Sequence, residues 1–242
     1  MGWAVDAAAP GTLRFALPYE HFSIVVHGGR RMALFVVGNI DGASAQPIKR
    51  RGDPWGRDPR LAGDVQWGNE LYSGNDLDKG HLVRRLDPAW GPTATVGEAD
   101  TFFYTNSCPQ FHRFNDGVWG DLEDYLLQHA STLGFRATVF TGPVFADDDP
   151  TYREARIPLR FWKVAVMVNA DRQRLSATGY LLDQTGMGAS FDFVFGDFGT
   201  SQVPLAHLEA LTGLDWAALR PFDPLDASGV ATPLADVAAI RL

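Results

Sequence analysis

Cysteine is almost missing from this chain: Cys108 is the single example among 242 residues. One thiol excludes an internal disulfide framework and any cysteine-cluster zinc site. Long apolar runs are missing as well. No stretch approaches the roughly 18–20 uninterrupted apolar residues of a membrane-spanning helix, so no membrane partner is expected. The opening MGWAVDAAAPGTLRF lacks a basic region followed by an apolar one. No secretory signal is therefore expected, and the cytoplasm is the default compartment. Internal repeats and low-complexity tracts are absent. Positive charge is scarce: 21 Lys and Arg against 29 Asp and Glu leave a formal net charge of −8. A surplus of that sign repels nucleic acid at long range.

What is present is ordinary in bulk and uneven in detail. Apolar residues make up 45% and charged residues 21%, the composition of a globular domain. Folded as one unit, a chain of this length buries roughly 70–75% of its extended surface, so a single domain over residues 1–242 is expected. The basic residues cluster in the window 49–85, which holds Lys49, Arg50, Arg51, Arg57, Arg60, Lys79, Arg84 and Arg85. The acids of that window are Asp53, Asp58, Asp64, Glu70, Asp76 and Asp78. The window is thus net positive while the rest of the chain is strongly negative. That is either a mildly basic loop on a mixed surface or a face for an anionic substrate on an acidic body.

Periodicity predicts strands at His21–Val26 and Met32–Ile40, joined by the hairpin signal Gly28-Gly29-Arg30-Arg31. Residues 41–78, rich in Gly, Pro, Asp and Asn, read as one long irregular excursion, and long loops in compact domains are commonly functional. Asp100–Thr105 (DTFFYT) reads as a strand. A helix follows, with Asn115 or Asp116 as N-cap, an apolar face of Val118, Leu122, Tyr125, Leu126 and Leu133, and Gly134 as its stop. Further strands are expected at Arg136–Thr141, Phe161–Asn169 and Arg174–Asp183, the last two joined by a tight connection at Asn169-Ala170-Asp171. A short helix is expected at Pro204–Leu211, closed by Gly213. Strands grouped in antiparallel-looking pairs with helices between the groups point to an α+β fold.

Two segments carry chemistry. One is Asp78-Lys79-Gly80-His81-Leu82. The other is Thr105-Asn106-Ser107-Cys108-Pro109-Gln110, followed by Asn115, Trp119, Leu122 and Glu123. An imidazole such as His81 is mostly neutral at pH 7 and can take a proton from water, so activity should fall below about pH 6.5. Asn115 offers a hard, neutral carbonyl oxygen of the kind that suits Mg²⁺, which keeps most of its waters. On a regular helix Glu123 lies about 80° and about 12 Å from Asn115. It would therefore act on the ion through water rather than directly. A base beside a water-rich divalent ion is suited to phosphodiester hydrolysis. Each residue also has a plainer role: a packed histidine, a helix cap, a solvated helix face.

Taken in order, these residues resemble the DNA/RNA non-specific endonuclease family, the ββα-metal or His-Me finger nucleases. The family's Asp-Arg-Gly-His stands here as Asp78-Lys79-Gly80-His81, its Thr-Asn-x-x-Pro-Gln as Thr105 to Gln110, and its Asn-x-x-x-Trp-x-x-Leu-Glu as Asn115, Trp119, Leu122 and Glu123. The likeness spans roughly residues 20–222 and takes in Phe140–Phe145, Ile157-Pro158, Phe161–Lys163, Tyr180–Gln184 and Leu211–Leu214; residues 1–19 and 223–242 are expected as terminal extensions. The resemblance implies a central antiparallel β-sheet flanked by helices, with a ββα-metal catalytic unit on one side. It implies His81 as general base, Asn115 as the direct metal ligand, Glu123 acting through metal-bound water, and Asn106 as a supporting residue of the catalytic set. Lys79 replaces the usual arginine and loses its bidentate fork, which bears on rate or preference. Arg57, which precedes Asp58-Pro59, and Arg51 are expected to bind phosphate, with Arg50 in competition; Arg84, Arg85 and Gln110 are expected on the substrate side. The implied cofactor is Mg²⁺ or Mn²⁺, the implied substrates are DNA and RNA, and an inhibitor or regulatory partner and a homodimer are further expectations. Rival readings are a catalytically silent binding module on the same fold and a phosphoesterase for a small diester.

Four other features are weighed more briefly. Cys108 is expected as a buried, inert thiol, His112 as a surface residue, Trp119 as packed against the sheet, and Asp147-Asp148-Asp149 as a solvated loop rather than a cation site.

Overall fold

A computed structural model of the chain describes residues 14–115, 120–169, 174–185 and 200–234. In chain order its strands are β1 (Arg14–Tyr19), β2 (Phe22–His27), β3 (Met32–Asp41), β4 (Leu77–His81), β5 (Ser107–Phe111) and β6 (Arg136–Val144), then β7 (Thr151–Tyr152), β8 (Ala155–Arg156), β9 (Arg160–Asn169), β10 (Arg174–Asp183), β11 (Ser201–Val203) and β12 (Thr232–Pro233). The helices are α1 (Asn69–Tyr72), α2 (Ala94–Asp100), α3 (His112–Phe114), α4 (Gly120–Leu133) and α5 (Leu205–Thr212). Eight strands form one antiparallel sheet in the order β1-β2-β3-β6-β9-β10-β11-β12. β4 and β5 form a separate antiparallel pair in front of it. The fold is the expected α+β arrangement.

The long central strands look almost uniformly apolar because both sheet faces are covered, so each strand alternates between two cores rather than between core and water. On β9, Phe161, Ala165 and Met167 join the core that α4 closes with Leu122, Leu126 and Ala130. Trp162 and Val164 point the other way, onto Leu205 and Leu208 of α5 and onto Trp216. Lys163 has the parity of Phe161 and Ala165, so its ammonium enters the α4 side. This parity later brings a buried cation to the site.

Several expectations need correction. DTFFYT is not a strand: Asp100 ends α2, and the chain turns through Phe102 and Phe103 into a 3-10 turn at Tyr104–Asn106, with β5 starting only at Ser107. These aromatic residues line a turn that packs near His81, and that tertiary use overrides their strand propensity. Asn115 has helical angles, φ −65° and ψ −42°, and closes α3. An N-cap needs extended angles, so Asn115 is not the cap expected for α4; Asp116, Val118 and Trp119 lie outside the described residues, as do residues 170–173 of the expected β9–β10 connection. Both expected extensions contribute to the sheet, through β1 at one edge and β12 at the other. Gly134 (φ 63°) and Gly213 (φ 68°) do end α4 and α5 in the left-handed conformation that glycine adopts without strain.

The excursion after β3 is irregular but fixed. Asp58, fully buried, accepts from Tyr19 Oη at 2.5 Å, from Arg60 Nη2 at 2.6 Å and from the Arg60 backbone N–H at 2.8 Å. Burial alone would raise its carboxyl pKa, but these donors outweigh that effect and hold it below the ordinary range. Gln66 closes the same loop by accepting from Asp58 N and donating to Asp58 O, both at 2.8 Å. Further along, Gly56 bridges to Phe103.

Candidate active site

β4, loop residues 50–55, α3 and the start of α4 surround a cleft of about 520 Å³. His81, Lys79, Asp78, Asn115, Glu123, Arg84 and Arg85 all line it. Residues from three separate segments thus meet in one place, as their order in the sequence anticipates.

β4 delivers the histidine. His81 is its last residue, two positions from Lys79, so the strand's period of two puts them on one face. Between them Gly80 has no side chain for a structural reason. A Cβ there would sit 2.0 Å from Oε1 of Gln110, which pairs across the ladder with Asp78. Gln110 is fully buried beneath this turn. The expected substrate contact at Gln110 is therefore corrected: the residue packs the back of β4 and does not line the cleft.

Asn106 is also fully buried and holds the other end of the same turn. Its Nδ2 donates to Val83 O (2.9 Å) and Thr101 O (3.0 Å), and its Oδ1 accepts from Val83 N (2.9 Å). The Asn106 carbonyl accepts from Leu82 N at 3.0 Å. With both amide atoms engaged, Asn106 fixes where the chain runs after His81. It is a positioning residue rather than one that meets substrate.

His81 is part-buried, and its buried Nε2 has no hydrogen-bond partner among the described residues. Burial drives its pKa down to about 3; Arg50, Arg85 and Arg84 add to the fall and Asp53 opposes it. The imidazole is therefore neutral, as a proton acceptor must be, over a wider range than a solvated histidine.

Asn115 Nδ2 donates to Asp78 Oδ2 at 3.1 Å, and His112 Nδ1 lies 2.8 Å from the same oxygen. Asp78 so engages the amide through its nitrogen, and the carbonyl oxygen is the end that could hold a cation. His112 is exposed, as expected, yet joins the cleft through this contact. Glu123 is mostly buried, and Lys163 Nζ lies 3.1 Å from its Oε1 and 3.1 Å from Thr141 Oγ1. A sequence reading misses two neighbours here. Lys163 lies forty positions from Glu123 and meets it only through sheet parity. Asp87, buried close by, has its pKa pushed up to about 7 by burial and by the Glu123 charge; nothing in its sequence context marks it.

One neutral oxygen and one carboxylate suit an ion that keeps its own water. Among the described residues no group of three or more His, Cys, Asp or Glu side chains could cage a metal. Asn115 and Glu123 could hold a divalent ion that keeps several of its waters.

The arginines separate clearly. Arg84 lines the cleft and pairs with Asp124; Arg85 lines it and is anchored by Glu98 (2.8 Å) and Ile48 O (3.0 Å). Upstream, Arg50 lines the cleft, and neither Arg51 nor Arg57 does. Arg57 is turned to Glu70 at 2.6 Å on an exposed surface. Of the three upstream arginines weighed for phosphate contact, Arg50 is the one at the cleft, because the path of the loop was not legible in its sequence. Cys108 is fully buried, its thiol pKa raised by burial, with Sγ 3.8 Å from Met32 Sδ. Asp149 is not solvated as expected: it is buried, paired with Arg30 at 2.9 Å.

Comparison with known proteins decides the family. Residues 7–222 match the DNA/RNA non-specific endonuclease family. The chain belongs to that family. Among its relatives are an uncharacterized protein, y4fB, of Sinorhizobium fredii (38% identical over 233 residues, 88% of this chain and 34% of the relative) and a nuclease of a Nostoc species (28% over 156 residues, 64% and 56%). Mitochondrial nuclease EXOG of Xenopus laevis is 26% identical over 197 residues, 76% of this chain and 51% of EXOG. The chain thus spans between a third and little more than half of the length of these relatives. In fold, this non-specific endonuclease family member is similar to a chain of the EndoG/EndoGI complex, with a TM-score of 0.68, 22% identity, and 86% and 87% of the two chains covered.

Proposed function

We propose that this chain is a divalent-metal-dependent endonuclease that hydrolyses phosphodiester bonds in DNA and RNA with little regard for sequence. The observation that carries the reading is the convergence of His81, Asn115, Glu123 and Lys79 on one cleft beside Arg50, Arg84 and Arg85. All of these groups address water, metal or phosphate, and none of that chemistry distinguishes one base from another.

His81, neutral at working pH, takes the proton of the attacking water. An incoming phosphate offsets the guanidinium charges of Arg50, Arg84 and Arg85, so the basicity of His81 rises when substrate is in place. Lys79 and Arg50 hold phosphate oxygens from the β4 and loop sides. Asn115 would hold the ion directly and Glu123 through water, with Lys163 fixing the Glu123 carboxylate. The bound ion would supply stabilisation of the charge that builds on the phosphate and the leaving oxygen. Lys79 binds phosphate as a point charge without the fork of an arginine, so it confers less orientation.

The test is digestion of plasmid DNA and single-stranded RNA with Mg²⁺, with Mn²⁺ and with excess chelator. Both polymers should be cut, and only with metal. His81→Ala should lose about 10²–10⁴-fold in rate at wild-type thermal stability, and Asn115→Ala should need more metal for half-maximal rate. Full activity in His81→Ala would remove the general base, and binding of both polymers without cleavage would identify a silent module.

A further inference from the structure

Among the described residues, Nε2 of the candidate base His81 is buried without a hydrogen-bond partner, so no carboxylate or carbonyl of those residues fixes the ring at that atom. Two aromatic rings stand around the imidazole instead. The Trp55 ring centroid lies 4.6 Å from that of His81 at an interplanar angle of 50°, and Phe102 lies edge-on at 5.3 Å. Trp55 and Phe102 are themselves 5.5 Å apart and edge-to-face, and Tyr104 stacks on Trp55 at 5.8 Å.

The backbone holds Trp55 there from both sides. On one side Gly56 N donates to Phe102 O at 3.1 Å and Gly56 O accepts from Tyr104 N at 2.9 Å. On the other, Trp55 N donates to Asp53 O at 2.8 Å, and Asp53 is gripped by the two-pronged Arg50 pair at 2.7 and 2.6 Å. A residue from the irregular loop is thereby locked over a residue from β4, and both line the cleft.

We propose that Trp55 is a positioning residue: with Phe102 it clamps the His81 imidazole and keeps bulk water off its buried Nε2. The proposal rests on the reading of His81 as the general base. Base catalysis needs the accepting nitrogen within hydrogen-bond reach of its water, and a displacement of about 1 Å costs about 10²-fold in rate. Ring packing can impose that order where no acceptor does. The charges that act on the same ring are those of Arg50 and Asp53 from the loop and of Arg84 and Arg85 from the segment after β4; a substitution of Trp55 by Leu or Phe adds or removes no charge.

Trp55→Leu and Trp55→Phe, compared with wild type and His81→Ala, test the idea. Trp55→Leu should lower kcat about 10–100-fold with KM within twofold, and Trp55→Phe should recover most of the loss. In Trp55→Leu the His81 imidazole should also titrate higher than in wild type, nearer to solvated histidine, when followed by NMR without metal or substrate. A rise in KM at constant kcat would overturn the proposal and make Trp55 a stacking platform for substrate. A fall in kcat with unmoved His81 titration and no rescue by phenylalanine would overturn it in favour of a role in folding alone. The NMR titration does not depend on turnover. If His81→Ala stays active, the general-base reading fails while the titration still decides whether Trp55 shields the ring.

Discussion

At the scale of single residues the site is governed by desolvation. His81, Asp87, Glu123 and Lys163 stand in or behind one wall, and burial pushes His81 and Asp87 toward their neutral forms. For His81 the direction is downward, to about 3. A base inactivated by protonation loses activity as pH falls through its folded-state pKa. The acid limb of kcat/KM should therefore lie below pH 6, not at the 6.5 of a solvated imidazole expected from residue type alone. A pH–rate profile under saturating metal checks this, and a limb at 6.5 would show the ring to be open to water. The sequence singled out His81, Asn115 and Glu123 by type and order, and the structure brings them to one cleft. It did not identify Lys163 or Asp87, because their relevance depends on which sheet face and which wall they occupy.

At the scale of elements, the β4–β5 pair shows how little tolerance the site has. Gly80 is required because Gln110 fills the space its side chain would take. Gly80→Ala must push aside a fully buried amide, an overpacking that costs about 1–3 kcal/mol. A thermal melt should show Tm lowered by several degrees. Steady-state assays should show a reduced kcat, since Lys79 and His81 flank the displaced atom. An unchanged melt and rate would mean that Gln110 swings clear at no cost. The aromatic turn Phe102–Tyr104 makes the opposite point. Its residue types favour a strand, yet packing about Trp55 and His81 determines its shape.

At the scale of the whole molecule, an acidic body carries a cleft whose lining mixes Arg50, Lys79, Arg84 and Arg85 with Asp53, Asp78, Glu123 and Asp124. Net charge of −8 opposes the approach of a polyanion, so binding must come from local contacts made by Arg50, Lys79, Arg84 and Arg85. Arg50, Arg84 and Arg85 are already paired with Asp53, Asp124 and Glu98, so about one to four phosphates are neutralised, according to how many of these pairs the substrate opens. Log KM should rise with log salt at a slope of about 1 to 3.5, and Arg50→Ala should lower that slope by up to about 1. Kinetics from low to moderate salt would measure both. A slope near zero would place the substrate away from this cleft.

The sequence by itself determined the α+β class, most of the long strands, the glycine stops of α4 and α5, and the order of the ββα residues. These are local properties, written in periodicity, turn chemistry and motif spacing. Only the tertiary structure decided that Gln110 and Asn106 support the site from behind, that Asn115 closes α3 rather than capping α4, and that Arg50 reaches the cleft in place of Arg51 and Arg57. It also brought Lys163 to Glu123 and Trp55 to His81. Each of these depends on the path of an irregular loop or on the face of a strand. Such features are fixed by contacts between residues far apart in the chain, to which local pattern is blind.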